Sequence, residues 1–252
     1  SKQNFALKNI NFEFNNLEPS IIGIAGQSGS GKSTLMQILL GTLSQTSGQV
    51  LINDKPLLQY VKRNRKKYLL QVQPIFQDPY GVYNPFYKAI HFLQETAVNL
   101  SLISHPRYFY TFIDKILKDV GLDFNHLKER YPHELSGGQR QRLMVARALM
   151  VRPQIILADE PVSMIDASLR ASILENIQIL KNQYGITVIY ITHDLTTAFQ
   201  ICDTLSVMYK GEIVESGLCK EVILEPKHPY TKSLIASIPG KNKTPDWMQL
   251  SL

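Results

Sequence analysis

GQSGSGKST, Gly26 to Thr34, stands between the apolar run IIGIAG and the stretch LMQILLG, and its reading decides the fold. Gly26, Gln27, Ser28, Gly29, Ser30, Gly31, Lys32 and Ser33 match the pattern GxxxxGK[ST] in full, and Thr34 follows. IIGIAG reads as a buried strand, and Lys32 to Leu40 as a short helix stopped by Gly41. A strand that turns through glycines into a helix offers backbone N–H groups unhindered by Cβ atoms, at the positive end of the helix dipole. That arrangement cradles phosphate. Lys32 is the cation for β- and γ-phosphates, and the Ser33 hydroxyl is a ligand for Mg²⁺.

Working outward, the strand QIILA ends in Asp159 and Glu160. Its apolar residues are buried while the two carboxylates emerge at the C-terminal end, where open α/β sheets bind ligands. Asp159 is then the acid on the metal side, and Glu160 is free to polarise an attacking water. His193 closes ITVIYITH, and Gln77 lies in QPIFQDPY. Each is weak in isolation, but both stand at strand ends that can face a γ-phosphate. A strand-end histidine alone is more often structural.

The alternation of QIILAD, the helix SLRASILENIQILKNQYG and the strand ITVIYIT predicts a largely parallel, covered sheet. TLSVMYKGEIVESG reads as an antiparallel hairpin turning near Lys210 and Gly211. The first 80 residues read as strands, among them NINFEF and GQVLIND, broken by one short helix. From about Tyr87 to Met150 the spacing is helical. In TFIDKILKDVG the apolar Ile113, Ile116, Leu117 and Val120 share one face, and Gly121 is the stop. YTKSLIASI is a short helical stretch in the tail. The expected class is therefore α/β, with residues 1–86 and 151–223 as the nucleotide-binding core, 87–150 as an inserted helical subdomain and 224–252 as a C-terminal tail.

Composition narrows the function. Apolar runs fall far short of the roughly 20 residues that span a bilayer, and no secretion signal is visible. Cys202 and Cys219 alone suggest a reducing compartment rather than a disulfide scaffold. The net charge of +6 is scattered except in VKRNRKKY, Val61 to Tyr68. A solvated helix or loop face is favoured for that run over nucleic-acid or lipid binding, and no nucleic-acid partner is expected.

LSGGQRQRLMVARAL, Leu135 to Leu149, carries the decisive addition. Ser136, Gly137 and Gly138 offer a hydroxyl and open N–H groups at the start of an amphipathic helix, a second anion site in a chain that already has one. At this point the chain resembles the ATP-binding subunits of ABC transporters, whose signature is LSGGQ, over nearly its whole length. The resemblance implies a P-loop NTPase core of RecA-like fold, with antiparallel strands at one side and the helical insertion. It implies ATP and Mg²⁺ as ligands, and two cassettes packed head to tail so that Ser136, Gly137, Gly138 and Gln139 of one close over the ATP of the other. By the same resemblance Gln77 touches Mg²⁺ and relays to the membrane subunit, Glu160 is the catalytic base, Asp166 crosses to the partner, and His193 contacts the γ-phosphate.

FQDPYGVYNP, RYPHELSGGQRQR, DEPVSMIDASLRA and HPYTKSLIASIP look like the oligopeptide, dipeptide and nickel importer branch. That likeness implies two transmembrane permease subunits, a second ATPase that is either identical or merely similar, and an external binding protein met indirectly, at the cytoplasmic face of the membrane. The aromatic expected to stack on adenine is either Phe5 or a residue upstream of this chain. Pro19-Ser20 replaces the usual Gly-Glu before the cradle strand, a turn variant, and no cysteine follows Cys219, so no iron–sulfur centre is expected. A non-transport ABC ATPase of DNA repair or translation is the alternative class. Such relatives carry long coiled coils or two cassettes per chain, and neither is seen here. A P-loop kinase or GTPase would have no use for the SGGQ helix.

Overall fold

Five strands of this chain are buried on both faces, and their side chains alternate between two cores with the two-residue period that pleating imposes. The computed structural model describes residues 5–14, 18–78 and 81–238. Chain order runs β1 (Ile21–Ala25), α1 (Lys32–Leu39), β2 (Leu51–Ile52), β3 (Lys55–Pro56), α2 (Leu57–Arg63), α3 (Arg65–Leu69) and β4 (Val72–Ile75). The helices α4 (His91–Asn99), α5 (Phe109–Asp119), α6 (Phe124–Leu127) and α7 (Gly137–Met150) come next. Then follow β5 (Ile155–Asp159), α8 (Ala167–Asn182), β6 (Thr187–Thr192), α9 (Leu195–Ile201), β7 (Thr204–Tyr209), β8 (Glu212–Leu218), α10 (Cys219–Leu224) and α11 (Pro229–Ala236).

The main sheet has the order β4-β5-β6-β1-β7-β8, parallel throughout except for β8, which runs antiparallel to β7. Ile156, Ala158, Val188 and Tyr190 join a core shared with α5, α7 and α8. Leu157, Ile189, Ile191 and Ile24 face the other way, onto α1 and α2. Each fully buried Ile or Leu is worth about 1.5–3 kcal/mol, and a one-residue slip would exchange the side chains of the two cores, so their packing selects this register. This register fixes the mouth of the sheet: Ala25 is level with Thr192, and Asp159 is paired with Ile191, itself paired with Ile24.

The helical stretch before β5 is clamped to the sheet through α7. Arg147 donates to the carbonyl of Pro74 at 2.7 Å, and the Tyr83 hydroxyl donates to the carbonyl of Arg140 at 2.6 Å. On α5 the expected face is buried, with Ile113, Ile116, Leu117 and Val120 inside, and Gly121 at φ +71 closes it. No helix among the described residues is long and apolar enough to cross a membrane.

Three expectations fail in the first 80 residues. NINFEF is not a strand: Ile10, Phe12 and Phe14 pack partly buried against the core, yet residues 9–14 join no ladder. GQVLIND supplies only β2, which turns through Asn53 and Asp54, at φ 49 and 60, into β3. The stretch 57–69 is helical. Leu57 and Val61 are buried one turn apart in α2, and Asn64 starts α3 by accepting a hydrogen bond from the N–H of Lys67 at 2.9 Å. The run Lys62 to Lys67 is exposed between buried Val61 and Tyr68, a solvated helix face as expected.

Past the hairpin, where Lys210 and Gly211 turn at φ 49 and 83, the chain returns to the sheet through α11. Leu234 and Ile235 are buried, and Glu215 of β8 accepts hydrogen bonds from the N–H groups of Lys227 at 2.7 Å and His228 at 3.0 Å. The tail beyond Ile238, and Pro79 and Tyr80 of FQDPYGVYNP, lie outside the described residues.

Burial opposes ionisation of Glu215, but the adjacent Thr231 hydroxyl and the two N–H groups hold its carboxyl below its ordinary value of 4.5. A carboxylate depressed on folding contributes above its unfolded pKa and loses that contribution as pH falls through the lower folded value. Amide protection of α11, corrected for intrinsic exchange, should therefore be full near neutral pH and fall below about pH 4.5. In Glu215→Gln the helix should be less protected at neutral pH, with little further loss in acid.

Candidate functional site

The site forms where β1, β4, β5 and β6 end together at one edge of the sheet. From β1 the chain enters the cradle at Gly26, whose Cα lies so close to β7 that an added Cβ would be 2.3 Å from the carbonyl oxygen of Met208. Gly31, at φ +106, caps α1, and an added Cβ there would meet the carbonyl of Ala6 at 2.8 Å. Gly211 in the hairpin turn donates its N–H to the carbonyl of Ser30 at 3.0 Å. The first turn of α1, Lys32 to Thr34, carries no acidic side chain, so its free N–H groups and dipole remain available to an anion.

Lys32 is 6% exposed, and its ammonium donates to the carbonyls of Gly26 at 2.6 Å and Gln27 at 2.9 Å. Burial lowers its pKa, while the charges of Glu160 and Asp159 act in the opposite direction. Among the described residues no carboxylate comes within ion-pair distance of it. Ser30 Oγ is buried without a partner, and the space above Gly29 is open. A buried cation, an unpartnered hydroxyl and an open nest of N–H groups fit a polyphosphate. Phe5 is half exposed and precedes Ala6, whose carbonyl borders Gly31.

Facing the cradle, burial and then the neighbouring Glu160 raise the pKa of Asp159, with Lys32 pulling it down. Glu160 has φ 43, a left-handed conformation that a side chain rarely adopts. Its backbone is held there: the N–H donates to the carbonyl of Ile191 at 2.9 Å, and its carbonyl accepts from the Ser163 hydroxyl at 2.9 Å. The turn aims the carboxylate at two of the other expected residues. Gln77 Nε2 donates to Glu160 Oε2 at 3.1 Å, and His193 Nδ1 lies 3.0 Å from the same oxygen. Oε1 takes part in neither contact. Ser33 is exposed at the start of α1 and Thr34 half-buried beside it.

The structure does not bring the second anion site to this cluster within one chain. Ser136 caps α7 by accepting from the N–H of Gln139 at 3.2 Å, while Gln139 Oε1 accepts from the N–H of Ser136 at 3.0 Å. Each side chain thus satisfies the other residue's backbone N–H. Gly138 lies against α8: a Cβ there would be 2.9 Å from Leu169 Cδ1, the end of a side chain that can shift. Asp166 stands exposed at the start of α8 and makes no capping hydrogen bond with its side chain.

Two contacts escaped sequence reasoning. Arg170 lies 3.8 Å from Asp194, lining a cleft with Glu160 and His193. The N–H of Gln27 in the cradle donates to the Tyr230 hydroxyl at 3.1 Å. The only sequence signal for the second was HPYT itself.

The family described as ABC transporter matches residues 7–163. The oligopeptide transport ATP-binding protein AmiF of Streptococcus pneumoniae is 36% identical over 95% of this chain and 77% of its own length. The dipeptide transport ATP-binding protein DppF of Escherichia coli is 37% identical over 91% of this chain and 68% of its own. Among solved structures, CbiO1 of Clostridium perfringens, part of the ABC transporter complex CbiONQ, superposes with a TM-score of 0.77 at 31% identity, covering 87% of this chain and 84% of that one. An ATP-binding cassette solved as a dimer in a post-hydrolysis state with ADP and Pi gives 0.74 at 27% identity, covering 85% of this chain and 90% of that one.

The two kinds of cradle glycine should separate in urea unfolding without nucleotide. Gly26→Ala meets fixed backbone of a central strand and should cost more than about 2 kcal/mol. Gly29→Ala has open space and a φ of +78 only, and should cost about 1 kcal/mol. Equal losses would mean that the Met208 contact does not constrain the cradle.

Proposed function

The chain belongs to the ABC transporter family, and on that premise we propose that it is the ATP-hydrolysing, energy-coupling subunit of an importer of peptides. The observation that carries the reading is the meeting of Gln77 and His193 on one oxygen of Glu160, at the mouth of a cradle built for phosphate. Peptide cargo, rather than nickel, is supported by the relatives named for oligopeptide and dipeptide transport.

In this reading the cradle N–H groups from Gly26 to Thr34 and the Lys32 ammonium hold the β- and γ-phosphates. Ser33, Asp159 and Gln77 supply hard oxygen donors for Mg²⁺, which when bound neutralises charge on the phosphate oxygens. Among the described residues no group of three or more His, Cys, Asp or Glu side chains is placed to hold a metal. An ion sharing its shell with phosphate and water matches that sparse donor set. Glu160 takes a proton from water as the water oxygen bonds to the γ-phosphorus and the bond to the ADP oxygen breaks. Gln77 and His193 hold Oε2, so Oε1 is assigned to the water, and in this reading His193 also serves the γ-phosphate.

Ser136, Gly137, Gly138, Gln139 and Asp166 serve the ATP of a second cassette, either the same chain or a similar one. Residues 1–86 and 151–223 then form the core, 87–150 the inserted helical subdomain and 224–252 the tail. Closure of the pair on ATP and its opening after hydrolysis rock two permease subunits at the cytoplasmic face of the membrane. An external binding protein delivers cargo to those subunits.

Glu160→Gln should bind MgATP, accumulate as a closed dimer and release phosphate about 10²–10³-fold more slowly; wild-type turnover would remove Glu160 from its role. Lys32→Ala should weaken MgATP binding about 10–100-fold, the worth of a charged hydrogen bond, as read by titration calorimetry. Purified from its own cell in mild detergent, the chain should bring down two multi-span permeases. Soluble nucleic-acid or ribosomal partners in their place would leave the ATPase chemistry standing and refute transport.

A further inference from the structure

The HPYT segment has no task in the function just described, yet its tyrosine reaches the cradle. Tyr230 lies on α11, and its hydroxyl accepts a hydrogen bond from the backbone N–H of Gln27, the second residue of the phosphate loop. The ring is fixed independently of that bond. It stacks on Tyr209 of β7, with centroids 4.1 Å apart and planes at 24°, and Lys210 lies over the far partner of the stack, 5.0 Å from the Tyr209 centroid.

The helix carrying Tyr230 is fixed from the same side. His228 caps α11 by accepting from the N–H of Tyr230 at 3.2 Å, and Glu215 holds the N–H groups of Lys227 and His228. Buried Leu234 and Ile235 would suffice to hold α11 against the core. Packing alone gives no reason for a hydroxyl to meet the loop.

We propose that Tyr230 is a positioning residue for nucleotide binding: the tail pre-orders the phosphate loop through the Tyr230–Gln27 hydrogen bond. The loop has two further supports on β7 and its turn, Gly211 N–H on the Ser30 carbonyl and Gly26 against the Met208 carbonyl. Between them, Gln27 is held at its carbonyl by Lys32 and at its N–H by the tail alone. Without the hydroxyl, residues 27–29 sample more conformations in the free protein, and their ordering is charged to nucleotide binding. The inference rests on the nucleotide site proposed above. It adds a residue outside the cradle and its facing strands.

Tyr230→Phe keeps the ring and its stack and removes only the oxygen. With MgADP as the probe, which avoids turnover, calorimetry on the whole chain should show binding weakened about three- to tenfold. Exchange of the Gln27 amide in the free protein should be faster, while the melting temperature without nucleotide stays within about 2 °C of wild type. A purely structural tyrosine would do the reverse, lowering the melting temperature and leaving MgADP affinity unchanged. Equal affinities of Tyr230→Phe and a wild type that binds would overturn the proposal and leave the nucleotide site standing. A wild type that takes up no MgADP, even though Gln27 exchanges faster in the variant, overturns the reading on which the proposal rests.

Discussion

A buried ammonium that touches no carboxylate is the constraint on which the rest of the site depends. Lys32 is held by two backbone carbonyls of its own loop, while Asp159 and Glu160 act on it only through space. Desolvating a cation is costly, and two neutral carbonyls recover only part of the lost hydration. The negative potential that β5 supplies at the sheet mouth offsets part of the remainder. The strand register places those two carboxylates within electrostatic range, and it is set by apolar packing far from any charge. Core residues such as Ile156 and Ile189 thus determine how the cation is compensated.

The legible part of this protein is the part written in short-range pattern. Continuous apolar runs in β5 and β6, glycines before a Lys-Ser pair and acidic residues after a strand announce the sheet and its mouth. NINFEF misled because two-residue alternation reports that one face is buried, not that a ladder forms; Ile10, Phe12 and Phe14 do pack inward, without strand pairing. The helices α2 and α3 were missed for the opposite reason. Their buried Leu57, Val61 and Tyr68 are too few, and interrupted at Asn64, for a helical period to stand out among the charges. The left-handed turn at Glu160 leaves no local trace, and the reach of Tyr230 to Gln27, across 203 positions, leaves only the HPYT segment itself.

The two anion-binding features of the chain are held in different ways. The cradle is braced by separate elements from the hairpin and the tail. The start of α7 closes on itself, with Ser136 and Gln139 exchanging hydrogen bonds. That box takes up the N–H groups of Ser136 and Gln139 and leaves those of Gly137 and Gly138 open.

The position of β4 gives the site unequal mechanical stiffness. β1 is hydrogen-bonded on both sides, by β6 and β7, and β5 and β6 are likewise interior, so the roots of the cradle, Glu160 and His193 are clamped twice. β4 is the edge of the sheet and has one ladder, to β5, with Arg147 gripping the carbonyl of Pro74 from the helical side. Gln77 begins two residues past that strand. Of the four arms at the sheet mouth it is the compliant one, and it is tied by Arg147 to the helix that begins at Ser136. Through the Arg147 grip, the arm that carries Gln77 is in direct contact with the helical stretch as well as with β5.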